Sequence, residues 1–393
     1  MPTFDLSADD RFILEIDAQR IEFIAREHPN APGIAHAIEG GKATVYRVTD
    51  TATQKDYALK VMKQQHRDPA LTDICQRLRA LSTVRGLAAC DRVCLTDASS
   101  GPTVRRYPDL RYAILMQWIT GRTWFDTIRS RGQLRMPDAL RLGLRLASVL
   151  DELEGRKLSH CDIAGGNVIF DPTTFEIELI DVEDVYGPGF ERPRAVPLGT
   201  QGYQHRKSAG GQWSADADRF AGAVMLAEML GWYDHRVRDN AWGETYFEPD
   251  ELQDENSWRY PILRRALEAF SLSLGILLER AWRSIELAEC PSLAEWQRHL
   301  ETAAPPDVDR RSVAKPRWVP LGPVPPPPPP PGTTFLPLPI ESIANTSAGG
   351  WTGPIEHDAM HGSPPFWKAL PVAAASADPP SSPAQPDPTD RRT

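Results

Sequence analysis

The chain has 393 residues, 41% of them apolar and 25% charged, with a formal net charge of −9. That length holds two or three compact units of ordinary globular composition. The acidic balance argues against a nucleic-acid binder, which would carry a basic stripe, and no run reaches the roughly 18 apolar residues of a membrane span. The first residues, MPTFDLSADDRF, lack the basic and apolar regions of a signal peptide. Five cysteines (75, 90, 94, 161 and 290) follow no disulfide or zinc spacing, so a reducing cytoplasm is the simplest setting.

In chain order, Ser7 and Asp10 make a capping-box-like start and predict a helix to about Arg26, within a helical extension over 1–34. Two strand-like runs follow, KATVYRVTD and DYALKVMK, then a helix over 70–85 and a buried strand in RYAILMQWI. After Gly121 the texture becomes helical. Pro137 opens a long amphipathic helix, and 214–231, 261–283 and 292–301 carry the same period. A strand-rich front joined near 117–121 to a helix-rich rear is a bilobal α+β pattern. Of 37 prolines, 23 lie after residue 304, which predicts a disordered tail over 305–393 with a polyproline II segment.

Chemistry-bearing residues punctuate this frame. LSHCDIAGGNVIF sets Asp162 and Asn167 on a short loop between an apolar helix and an apolar strand, although a polar loop with an Asx-turn would read the same way. Lys60 sits mid-strand in YALKVMK, where a lone lysine is most often a solvated residue. Upstream, IEGGKATVY supplies small residues at 40, 41 and 43, whose backbone N–H groups can approach phosphate oxygens. Asp162 lies 102 residues after Lys60, Asp181 of IELIDVED 19 further on, Thr200 of GTQGYQH another 19, and Asp218 of DRFAGAVML another 18.

Over about 35–304 that ordered set resembles the protein-kinase superfamily, with the texture of bacterial eukaryotic-like Ser/Thr kinases. HCDIAGGN matches the catalytic-loop pattern H-R-D-x-x-x-x-N, DVE takes the place of D-F-G, and YALK that of V-A-I-K. The resemblance implies a bilobal protein-kinase-like fold, with a small β-rich lobe over 35–118 and a larger helical lobe over 119–304. It implies ATP and Mg²⁺ as cofactors, a protein substrate, and neither nucleic acid nor membrane as partner. Lys60 would pair with the α/β-phosphates, Asp162 would orient the substrate hydroxyl, and Asn167 and Asp181 would hold Mg²⁺. Gly40 and Gly41 would cover the phosphates. Val45 and Ala58 would sandwich the adenine, Met116 would back the pocket, and the backbone of Gln117, Trp118 and Ile119 would form the hinge. Thr200 would hydrogen-bond near Asp162, and His160 reads as a structural loop residue.

The departures from the family pattern raise their own expectations. Ile38 and Ala43 stand at the other two glycine positions of the phosphate loop. No Glu occurs from 61 to 110 to pair with Lys60, so Asp73, Gln76 or Glu22 stands in. Cys161 replaces the Arg that reads a phosphorylated activation loop, which argues against activation by phosphorylation. Lys207 and Cys290 replace both halves of a buried ion pair, a double loss that leaves no unpaired charge. The tail aromatics (Trp318, Phe335, Trp351, Phe366, Trp367) either decorate a linker or dock on a partner. The Trp-rich stretch from 232 to 251 either packs or forms a partner surface. A regulatory pseudokinase and a small-molecule kinase stay open as alternatives.

Overall fold

The computed structural model describes residues 4–193, 195–207 and 210–303, all belonging to one compact unit. The proline-rich tail and its aromatics lie outside the described residues. Ser7 does give its N–H to the Asp10 carboxylate, at 2.8 Å, but the helix expected there does not form. Instead β1 (Arg11–Ile16) and β2 (Gln19–Ala25) make a hairpin. Arg-Phe-Ile-Leu-Glu-Ile alternates with period two and buries Phe12, Leu14 and Ile16, which overrides a single capping signal. Asp17 and Ala18 close the hairpin with φ of 49° and 63°, the two left-handed positions of a tight hairpin turn. Phe12 stacks on its cross-strand partner Phe23 at 5.8 Å. The described part of the N-terminal segment, 4–34, is therefore strand-based and not helical.

A small hairpin, β3 (Glu27–His28) and β4 (Ala31–Ala35), leads to β5 (Ala37–Glu39), β6 (Ala43–Asp50) and β7 (Asp56–Met62). Next come α1 (Ala70–Arg79), β8 (Arg92–Cys94), α2 (Asp97–Arg106) and β9 (Ile114–Gln117). The main sheet is antiparallel in the order β1-β2-β6-β7-β9-β8, with β5 also paired to β6. Helix α1 stops at Arg79, short of the expected residue 85, and turns carry the chain on to Leu87.

Beyond residue 121 lie β10 (Arg122–Thr123), α3 (Trp124–Arg129) and α4 (Met136–Gly155), then β11 (Val168–Phe170) and β12 (Ile177–Leu179). The helices α5 (Asp218–Gly231), α6 (His235–Asp239), α7 (Arg259–Glu268), α8 (Leu272–Arg283) and α9 (Leu293–Ala303) complete this part. Pro137 sits in the first turn of α4, where its missing N–H costs nothing. The helix expected over 261–283 is two helices, because Ser271 caps α8 by accepting the Ser273 N–H. Helix α5 is buried on nearly every side, as a uniformly apolar helix must be. Trp232, Tyr246 and Phe247 are fully buried in the same core, so the aromatics after α5 mainly pack. The fold is mixed α and β: the sheet has its own apolar core around Leu14, Val48, Leu59 and Leu115, and the helices have a larger one. Among the described residues no helix is long and apolar enough to cross a membrane.

Candidate functional site

The loop Leu158–Asn167 joins α4 to β11 and is held from behind by α5. The buried Asp218 carboxylate, at the start of α5, accepts the backbone N–H of His160 at 2.5 Å and of Cys161 at 2.8 Å. Burial pushes the Asp218 pKa up, opposed by His160 and by these two amides. Cys161 lies in the left-handed region at φ 66°, a conformation a non-glycine residue keeps only when its surroundings impose it. The buried His160 ring meets the Ile180 carbonyl through Nε2 at 2.8 Å and so braces the loop instead of facing the cleft. Burial pushes the Cys161 thiol well above its usual range, so that position presents neither a cation nor a thiolate.

This bracing presents Asp162. Its carboxylate accepts the Thr200 hydroxyl at 2.7 Å and the Asn167 amide at 3.1 Å, and its carbonyl accepts the same amide at 2.9 Å. Asn167 Nδ2 is thereby fixed on Asp162, which makes Oδ1 its remaining donor atom for a cation. Across the β11–β12 hairpin, the Ile180 N–H donates to the Asn167 carbonyl at 3.0 Å, bringing Asp181 level with Asn167. Asp181, at φ 62°, is 57% exposed and contacts the Lys60 ammonium directly. Residues scattered from 60 to 200 are therefore linked through the β11–β12 hairpin.

Lys60 has a second carboxylate that the sequence reading did not find. Glu183 lies 3.1 Å from Lys60 Nζ and 2.8 Å from Arg92. Asp73 and Gln76 are exposed on α1, and Glu22 bonds Thr51 and Arg11 within the β1–β2 region, so none of the three expected substitutes reaches Lys60. Burial works against the charge on Lys60, yet Glu183 and Asp181 hold its pKa above the ordinary lysine value. Burial likewise opposes ionisation of Glu183, and Lys60 and Arg92 outweigh it. Asp184 faces the other way in energy: burial raises its pKa, Lys42 at 4.0 Å lowers it, and Glu183, Asp162 and Asp181 raise it again. Such crowded negative charge suits a divalent cation.

Among the described residues no three His, Cys, Asp or Glu side chains form a metal cluster. Asp181 and Asn167 offer two hard oxygens, which fits Mg²⁺, an ion that usually completes its shell with water and phosphate oxygens. Above the cleft, Val45 pairs with Lys60 and Ala58 with Met116, so these four residues are neighbours on the sheet. Ile169 packs beside Gly121, where an added Cβ would meet its Cγ2 at 2.6 Å. Two of the expected ligand amides are hydrogen-bonded within the sheet region. The Gly40 N–H is closed onto the Ala43 carbonyl at 2.8 Å, because the β5–β6 turn is tight. The Trp118 N–H donates to the Asp56 carbonyl at 3.2 Å, while its ring meets His36 edge-on and lies under Arg47. Gly41 stays in the turn and Gln117 ends β9, exposed at the mouth.

The segment after the cleft is anchored by Tyr203. Its hydroxyl donates to the buried Glu228 carboxylate at 2.8 Å, which also accepts from Trp124 Nε1 and the Tyr246 N–H, each at 2.9 Å. Gly202, at φ 89°, is needed here because a Cβ would meet Thr245 Cγ2 at 2.6 Å. Among the described residues the exposed Lys207 ammonium pairs with Glu286, at 3.8 Å, and the buried Cys290 bonds Ser284, so neither position buries an unpaired charge. Burial without a counter-charge pushes the Glu228 pKa from 4.5 to about 7, despite its three donors. The folded state then binds this proton more tightly than the unfolded chain. Stability is expected to fall as pH rises from about 4.5 to about 7 and to level off above, by on the order of 3 kcal/mol at most. Melting temperatures of wild type and Glu228→Gln across that range check this: wild type should lose ground to the variant as pH rises, and a constant gap contradicts it. No family model and no curated protein matches this chain.

Proposed function

We propose that the chain is an ATP- and Mg²⁺-dependent phosphotransferase acting on protein Ser/Thr hydroxyls, with the bilobal architecture of a protein kinase. The reading rests on two linked sets of contacts: Lys60 with Asp181, and Asp162 with Asn167 and Thr200, joined by the Ile180 N–H on the Asn167 carbonyl. A transferring phosphoryl group gathers negative charge, and a fixed cation beside metal-binding oxygens is the arrangement that stabilises it. Asp181 and Asn167 would hold Mg²⁺, whose positive charge would offset that of the phosphates. The chain's own residues do the rest. Lys60 meets the phosphates, Asp162 orients the acceptor hydroxyl and takes its proton, and Thr200 and Asn167 keep the Asp162 carboxylate in place.

Phosphorylation of the segment after Asp181 is not required on this reading. Between 182 and 206 the hydroxyl-bearing residues are Tyr186, Thr200 and Tyr203. Thr200 is bonded to Asp162, Tyr203 is buried, and the Tyr186 ring stacks edge-on with Trp213. The test is transfer of labelled phosphate from Mg²⁺-ATP to the protein itself, to generic proteins and to bacterial lysate, before and after phosphatase treatment. Transfer that survives phosphatase is expected. Nucleotide binding without any transfer would establish a pseudokinase instead, and transfer only to small molecules would move the acceptor class.

A further inference from the structure

An ammonium that must meet a phosphate at a set angle needs a fixed carboxylate behind it, because the flexible lysine stem alone does not aim it. Helix α1 supplies none. Its buried face is Leu71, Cys75 and Leu78, and its polar residues Asp73 and Gln76 point to solvent. Helix α1 packs chiefly against β8, which begins with Arg92, and also against the turn Val182–Asp184, which follows Asp181. That turn carries Glu183, whose carboxylate lies 3.1 Å from Lys60 Nζ. Glu183 is itself clamped. Arg92 at the start of β8 has no exposed side-chain surface, donates to Glu183 at 2.8 Å, and gives Nε and a terminal nitrogen to the Ala89 carbonyl at 2.9 and 2.7 Å. Three bonds to fixed acceptors leave the guanidinium one orientation, and Glu183 inherits it.

Resting on the proposed phosphoryl transfer, we infer that Glu183 is the positioning residue for Lys60 and that Arg92 locks Glu183. Lys60 is then aimed by the segment that bears Asp181, two residues from the metal-binding carboxylate, and not by helix α1. The phosphate-binding cation and the metal-binding carboxylate are set by one backbone turn, so a displacement of α1 that spares this turn leaves Lys60 aimed. The left-handed backbone at Asp181 lets residues 181 and 183 both reach the same ammonium.

The test uses the full chain. Glu183→Gln and Arg92→Met are each expected to lower kcat on the order of 100-fold, the cost of a misplaced catalytic group, with little change in nucleotide Kd. Asp73→Ala and Gln76→Ala are expected to leave kcat at the wild-type level. Because removing one partner of a buried pair can unfold a protein, the double variant Arg92→Met/Glu183→Gln is included, which removes both charges. It should regain melting temperature over the single variants without regaining kcat, and recovery of kcat would make the pair merely structural and overturn the proposal. Loss of kcat in the α1 variants to the same degree would also overturn it. Acetylation of Lys60 by acetic anhydride, located by mass spectrometry, reads the contact without any catalysis. It should be several-fold faster in Glu183→Gln than in wild type, as expected for an amine relieved of a carboxylate neighbour. An unchanged rate means Glu183 does not hold Lys60. If acetylation accelerates but wild type transfers no phosphate, the phosphotransferase reading fails while the Glu183–Lys60 assignment stands.

Discussion

Asp162→Ala is expected to lower phosphoryl transfer by roughly two or more orders of magnitude, the usual consequence of losing a positioned proton acceptor, while nucleotide binding survives. The binding groups are elsewhere: Lys60 sits on β7 and Asp181 on the turn after β12. Asp181→Ala should behave differently. On the proposed function it removes an oxygen that would hold the metal, so Mg²⁺-dependent nucleotide binding should weaken along with turnover. Lys60→Met should lower transfer strongly and, in addition, leave Glu183 and Asp181 facing each other with Arg92 alone to neutralise them. Parallel measurements of ATP binding and transfer for the three variants separate these outcomes. Equal loss of binding and transfer in Asp162→Ala would show that the carboxylate shapes the nucleotide site and does not act on the acceptor.

Asp218→Ala is expected to be the most destabilising single polar substitution in the loop region. It leaves the His160 and Cys161 amides buried without their acceptor, each costing about 1–3 kcal/mol. The loss also releases the left-handed backbone at Cys161, so Asp162 loses its aim even in molecules that remain folded. Asp218→Asn keeps one carbonyl oxygen for one of the two amides and should fall between wild type and alanine. Thermal melts with a transfer assay at a temperature where every variant is folded check both parts. A melting temperature for Asp218→Ala equal to wild type would mean that the loop is held by other contacts, such as His160 on Ile180.

Much of the scaffold was legible locally. The alternating runs that became β6 and β7, and the period of α4 with its opening proline, are written within a few residues of themselves. The same holds for Asp162, Asn167 and Asp181. A polar residue between apolar runs stands out, and a hairpin such as β11–β12 brings its ends together by short-range pairing alone. The N-terminal segment shows the limit of such reading. The Ser7–Asp10 contact exists, yet it begins no helix, because a capping signal contributes about one kcal/mol and cannot outweigh an apolar face that is buried only as a strand.

Only the tertiary structure decided what stands behind the site. Glu183 lies in a three-residue turn and Arg92 on a three-residue strand, so neither carries a local pattern. Their pairing with each other and with Lys60 spans 91 residues in one case and joins β7 to the turn after β12 in the other. Likewise the Gly40 and Trp118 amides look available in sequence and prove to be bonded within the sheet. Periodicity, capping and turn chemistry act over a few residues and can be read along the chain. Ion pairs and amide acceptors depend on which distant segments the fold brings within about 3 Å of each other, and that distance is set by packing the whole core.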